Sequence, residues 1–180
     1  RTLCETLMSK LDINTSYFPP DVGSKIGSYL RPETKLVFLE SPGSFTFEMH
    51  DIPAITAVCR KRNVLTAIDN TWASPLYFKP LDYGVDISTQ AATKYLCGHS
   101  DVMMGSISTN NESIFKSIKD ISIQFGNNVS PSDCYLALRG IRTMGVRLRQ
   151  HQKTALILVE WLANRPEVSD ILYPAWPEDK

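Results

Sequence analysis

Two residues of this chain pair a reactive side chain with a setting that could use it. Lys94 lies in Ser88-Thr89-Gln90-Ala91-Ala92-Thr93-Lys94-Tyr95, and Asp69 lies 25 positions earlier in Ala67-Ile68-Asp69-Asn70-Thr71-Trp72. Each follows a strand-like stretch, and Lys94 is succeeded by the small, polar Gly98-His99-Ser100. A lysine amine can condense with an aldehyde to a Schiff base, and a carboxylate can keep a ring nitrogen protonated so that the ring accepts electrons. An amine and an acid at the ends of two buried strands are therefore what a pyridine-aldehyde cofactor requires. Alone, neither residue carries that reading: most lysines are solvated surface charges, and an aspartate after a strand is more often a cap or turn residue.

The surrounding sequence is more specific. The runs Val37-Phe38-Leu39-Glu40-Ser41-Pro42-Gly43-Ser44, Ile68-Asp69-Asn70-Thr71-Trp72 and Ala91-Ala92-Thr93-Lys94-Tyr95-Leu96-Cys97-Gly98-His99-Ser100-Asp101 occur in that order. They are followed by Leu138-Arg139-Gly140-Ile141-Arg142-Thr143 and Arg147-Leu148-Arg149-Gln150-His151. Together they resemble the Cys/Met-metabolism family of pyridoxal phosphate enzymes, its bacterial β-lyase branch above all, over essentially the whole chain. The resemblance implies a fold-type I α/β domain and a carbon–sulfur lyase that splits L-cystathionine by β-elimination into homocysteine, pyruvate and ammonia. Cystathionine γ-lyase, γ-synthase or methionine γ-lyase activity is the alternative within the family. A catalytically inert oligomerisation or binding module of the same fold is the alternative of another class.

By the same resemblance Lys94 is the catalytic lysine that binds pyridoxal 5'-phosphate and then moves the α-proton. Asp69 partners the pyridine nitrogen, and Thr93 offers its hydroxyl to the phosphate. Ala91 stands where many relatives carry a second hydroxyl, which leaves the phosphate one donor short on this side. Many relatives have Asn at the position of Ser44, and the Gly43-Ser44 pair favours β- over γ-cleavage. Tyr95, Trp72 and His99 are expected to pack or to support the site, and His50 and His151 to lie at the surface or at helix ends. The resemblance places the rest of the phosphate cradle upstream and in a neighbouring subunit. It places the stacking aromatic upstream and the carboxylate-binding arginine downstream, so homo-oligomerisation, as a dimer of dimers, is expected.

Composition narrows the partners. With 19 basic and 19 acidic residues the chain carries no net charge, which gives it no general attraction to nucleic acid or to an anionic membrane. No apolar run approaches the roughly 20 residues of a membrane span, and no leader pattern opens the sequence, so the cytoplasm is the expected location. Cys4, Cys59, Cys97 and Cys134 are scattered without a CxxC pair, so neither a disulfide framework nor a metal site is expected. Cys97 and His99 alone do not make a ligand set. Cys4, Cys59 and Cys134 are expected to fill small core spaces on helices.

The elements that must position these residues alternate helix and strand. Helix is expected over 2–11, strand over 13–18 closed by Pro19-Pro20, a short helix over 21–30, and strand over 35–40. The unbroken Leu36-Val37-Phe38-Leu39 suits a parallel strand covered on both faces. Asp51 is an N-cap with Pro53 in the first turn, and Ile52, Ile55, Val58 and Cys59 face the sheet. Strands are expected over 64–68, 85–90 and 102–109, giving a mainly parallel sheet flanked by helices, with ligands outside the carboxyl ends of its strands.

From about residue 114 the pattern turns helical. Ser130, Pro131, Ser132 and Asp133 start a helix that breaks near Gly140 or Gly145 and continues to about Asn164. Its apolar stripe is Leu148, Ala155, Val159 and Leu162, and Arg142, Arg149 and Lys153 form a solvated or subunit-facing stripe. With 180 residues and 43% hydrophobic content the chain can bury a core of its own. Residues 1–165 are expected to be the central part of the cofactor-binding large domain, and 166–180, entered through Val168 to Tyr173 with a strand starting near the chain's end, the start of a smaller C-terminal domain.

Overall fold

The computed structural model describes residues 2–176. Four strands form one sheet in the order β1 (Leu36–Glu40), β2 (Leu65–Asp69), β3 (Ile87–Ala91) and β4 (Gly105–Ser108). The first three are parallel, and β4 runs antiparallel to β3. Asp69 is thereby in register with Glu40 on one side and Thr89 on the other. The carboxyl ends of β1 to β3 all point the same way, which is where such sheets bind ligands.

One face of the sheet is covered. Helix α1 (Ile52–Lys61) starts at Asp51, whose carboxylate accepts the Ala54 N–H at 3.0 Å, with proline in the first turn. It stops where Asn63 takes a left-handed conformation, φ 53°, and Val64 N–H bonds to Cys59 O. Its Ile52, Ile55 and Cys59, with Val22, Ile26 and Leu30 from the segment around the 3-10 helix Pro20–Ser28, bury Val37, Leu39 and Ile68 of the sheet. Each fully buried aliphatic side chain contributes about 1.5–3 kcal/mol. Asp86, just before β3, ties the start of that strand to β2. Its Oδ2 accepts both the Thr66 N–H (2.7 Å) and the Thr66 hydroxyl (2.9 Å).

Among the described residues the opposite face is exposed along β1, which corrects for that strand the expectation of cover on both sides. β1 alternates, with Leu36 and Phe38 48% and 55% exposed, and Leu65 and Ile107 continue the apolar face across the sheet. A run of four apolar residues records only that both faces can be buried, not what lies within reach to bury them.

The helical parts also differ in detail. Residues 2–10 are helical around a π-helical segment, Cys4–Met8. Residues 13–18 form no strand, because no neighbouring strand is there to pair with them. A four-residue helix, α2 (Ser74–Tyr77), follows β2, and α3 (Glu112–Gln124) follows β4. The last helix, α4 (Pro131–Ala163), is capped by the Ser130 hydroxyl, which accepts the Asp133 N–H.

Helix α4 runs 33 residues without the expected break. At Gly140 it instead packs so closely on the Leu96 and Cys97 carbonyls that a Cβ there would overlap them. Leu148 and Val159 of its expected apolar stripe are buried, and Arg142, Arg149 and Lys153 are exposed. Residues 168–173 form no strand. Cys59 is buried as expected and Cys4 partly so, whereas Cys134 is exposed on α4. No helix among the described residues is long and apolar enough to cross a membrane.

Candidate active site

Lys94 is set three residues beyond β3 in a turn that its own backbone closes: its N–H bonds to Ala91 O at 3.0 Å, and its carbonyl accepts the Gly98 N–H at 2.7 Å. Gly98, at φ +80°, supplies the left-handed step the turn needs. The Lys94 side chain is exposed and makes no hydrogen bond or ion pair among the described residues. It lines a cavity of about 820 Å³ at the carboxyl ends of the parallel strands, together with Thr93, Tyr95, Glu40, Ser44 and Thr71. That volume is in the range of small-molecule and cofactor sites.

Thr93 shares the cavity wall, and its hydroxyl is already engaged. It donates to Met104 O (3.2 Å) and accepts the Met104 N–H (2.9 Å), pinning the Lys94 turn to the segment before β4. Asp69 ends β2 and is partly buried. It is not in the cavity wall, but its cross-strand neighbour Glu40 and its hydrogen-bond partner Thr71 are, which sets it at the rim. Its Oδ1 accepts the Thr71 N–H at 2.9 Å, and Oδ2 has no partner among the described residues. The structure thus places Lys94 and Thr93 in one cavity wall and Asp69 outside it, next to two residues that line it.

An aldehyde-bearing pyridine with an anionic tail fits this donor set. The site has one unengaged amine, one unengaged carboxylate oxygen on an adjacent strand end, and a hydroxyl next to the amine. A methyl, Ala91, closes β3 where a further donor would be of use.

The aromatic residues frame the opening. Trp72 lines the cavity and contacts Phe47 (ring centroids 6.1 Å) and Tyr173 (6.3 Å), and Tyr95 faces the His151 ring at 6.0 Å. Burial, with the nearby phenols of Tyr77 and Tyr95, pushes the Tyr173 hydroxyl up, so it stays protonated. His99 turns away: its Nδ1 lies 2.8 Å from Cys97 O, which requires the proton on that nitrogen. His50 is half-buried at the start of α1, a helix end as expected, with Nδ1 2.8 Å from Pro20 O. His151 is exposed on α4 yet lines the cavity.

Sequence reasoning assigned no role to Glu40, Thr71, Asp101 or Arg147, all in the cavity wall. Glu40 accepts a short hydrogen bond from the Ser44 hydroxyl, and Asp101 pairs with Arg139 of α4 at 3.0 Å. All four lie in the runs already noted: Glu40 at the strand end before Ser44, Thr71 and Asp101 in the segments after Asp69 and Lys94, and Arg147 at the head of the last run. Their spacing alone does not mark them.

Comparison with known proteins identifies the family. The family described as "Cys/Met metabolism PLP-dependent enzyme" matches residues 1–180. The cystathionine β-lyase of Escherichia coli is 46% identical over 179 residues, which is 98% of this chain and 45% of that protein. An L-alanine/L-glutamate racemase of Wolbachia pipientis is 40% identical over 98% of the chain and 43% of its own length. Among solved structures, the cystathionine γ-lyase of Lactobacillus plantarum complexed with L-serine superposes with a TM-score of 0.94 at 31% identity, over 99% of this chain and 47% of that one. The chain spans less than half the length of each.

Proposed function

The chain belongs to the Cys/Met metabolism PLP-dependent enzymes and has their fold-type I architecture, and on that premise we propose that it is the central portion of a carbon–sulfur lyase. The reaction is β-elimination of L-cystathionine to homocysteine, pyruvate and ammonia, carried out in the cytoplasm. Residues 1–165 belong to the cofactor-binding large domain, and residues 166–180 begin a smaller one. The observation that carries the reading is the Lys94 amine, unengaged among the described residues, in the wall of a cavity at the carboxyl ends of three parallel strands.

Bound pyridoxal phosphate supplies an electron sink for the charge left on the α-carbon. Lys94 holds the cofactor aldehyde through its amine. The free Lys94 amine would take the proton from the α-carbon and could deliver one to the departing sulfur. Asp69 keeps a proton on the ring nitrogen. Its Oδ1 is already held by the Thr71 N–H, which fixes the carboxylate and leaves Oδ2 to accept.

Thr93 offers its hydroxyl to the phosphate. That hydroxyl has a single proton, now on Met104 O, so donation to phosphate requires the O–H to turn. With Ala91 unable to donate, the remaining phosphate contacts come from upstream sequence and from a second subunit, so the working enzyme is a homo-oligomer, a dimer of dimers. Ser44, in the cavity wall where many relatives carry Asn, supports β- over γ-cleavage.

The test is made on the full-length polypeptide. Borohydride reduction followed by peptide mapping should fix the pyridoxyl group on Lys94, and cystathionine should yield homocysteine and pyruvate. Cysteine and 2-oxobutyrate as products would move the reading to γ-cleavage. A label on any other lysine would remove Lys94 from its role.

A further inference from the structure

The Lys94 turn is gripped from one side by α4, and the grip centres on Arg147. Its Nη2 donates to the carbonyl of Tyr95, the residue after Lys94, at 2.9 Å and also to Gly140 O at 2.9 Å. Its Nε donates to the Thr143 hydroxyl at 3.1 Å. The guanidinium lies flat against Gly98, where a Cβ would overlap it, and Arg147 itself lines the cavity. Two turns earlier on α4, Gly140 lets the helix backbone approach the Leu96 and Cys97 carbonyls. A single planar cation thus joins the first peptide after Lys94, the glycine that ends its turn and the helix behind it.

We propose that Arg147 is a positioning residue for Lys94, fixing the turn from Tyr95 to Gly98 so that the amine is presented to the cavity. This rests on the assignment of Lys94 above. The physical case is that the Lys94 side chain has four rotatable carbons and no anchoring partner among the described residues. Control over where its nitrogen sits must therefore come from its backbone, and Arg147 holds that backbone one residue away. Arginine alone suits the task, because its rigid fork serves three acceptors at once, which a lysine ammonium on a flexible stem cannot reach together. A misplacement of about 1 Å can cost on the order of 100-fold in rate.

The experiment compares full-length wild-type enzyme with Arg147→Lys, Arg147→Met and Thr143→Val, the last removing only the partner of Nε. Three quantities are read: the folded fraction of each apoenzyme, the rate at which it regains the borohydride-reducible bond to Lys94 on adding pyridoxal phosphate, and kcat against KM. Per folded molecule, both Arg147 variants should regain the bond at least about 10-fold more slowly and lose about 10- to 100-fold in kcat with KM little changed. Thr143→Val should show the same defects at smaller size. Wild-type bond formation and kcat per folded molecule in Arg147→Lys would overturn the proposal, as would a loss that tracks the folded fraction alone. If Arg147→Met does not fold, Arg147→Lys and Thr143→Val decide between those results. A pyridoxyl label that appears on another lysine in the wild type refutes the lyase assignment of Lys94 instead, and is told apart by that site.

Discussion

At the scale of single residues, Gly140 and the two buried thiols give the sharpest expectations. Gly140→Ala places a methyl against the Leu96 and Cys97 carbonyls. Overpacking of this kind costs about 1–3 kcal/mol, so the thermal midpoint should fall by several degrees, as calorimetry would show. Burial pushes the Cys59 thiol up, with Asp86 adding to it. The Cys97 thiol is raised by burial and then by Asp101 and Asp133, against a lowering by Arg147. A raised thiol favours the protonated folded state, so its stabilisation is complete below the unfolded value of about 8.5 and is lost as pH rises through the folded value. Urea midpoints measured from pH 7 to 10 should therefore fall at the alkaline end, and less steeply in Cys59→Ala/Cys97→Ala. Lys94 could be singled out from sequence because its neighbours form a long specific run. Arg147 could not, because its acceptor is a main-chain oxygen 52 positions away, and backbone acceptors have no residue type to recognise.

At the scale of elements, β2 and β3 depend on a polar tie as well as on the sheet ladder. Asp86→Ala would strand the buried Thr66 N–H and hydroxyl, at about 1–3 kcal/mol for each group, whereas Asp86→Asn keeps an acceptor and should lose less. Chemical denaturation of the two variants checks the order. The helix starts at Asp51 and Ser130 were legible, because a cap is a local device written within four residues. The expected strand at 13–18 and the expected break near Gly140 were not. The first needed a pairing partner that is absent, and the second turned on what lies across the helix from the glycine. Periodicity reports which residues share a face and is silent about what that face meets.

At the scale of the molecule, the uncovered side of the sheet dominates. Leu36, Phe38, Leu65 and Ile107 leave an exposed apolar surface among the described residues, and α3 has no buried residue of its own. Surfaces of this kind mark contact sites or aggregation liabilities. The isolated segment should accordingly bind a hydrophobic dye and self-associate, and a longer polypeptide covering the family's length should do neither. Dye fluorescence and sedimentation of the two would decide, and a clean, dye-silent monomer from the segment alone would count against the partial-domain reading. The mainly parallel α/β class was legible because alternation of elements survives in any fragment. The bare face was not, since what covers a sheet can come from anywhere in a chain.

The edge-on and tilted contacts of Trp72 with Phe47 and Tyr173 at the cavity wall also give the protein an internal optical gauge. An indole in that position hands its excitation to any nearby chromophore that absorbs where it emits. Filling the site with a coloured ligand should dim the intrinsic emission, and Trp72→Phe should remove most of that dimming while Trp161, on the exposed end of α4, goes on glowing. Occupancy could then be followed in real time, without added label and without turnover.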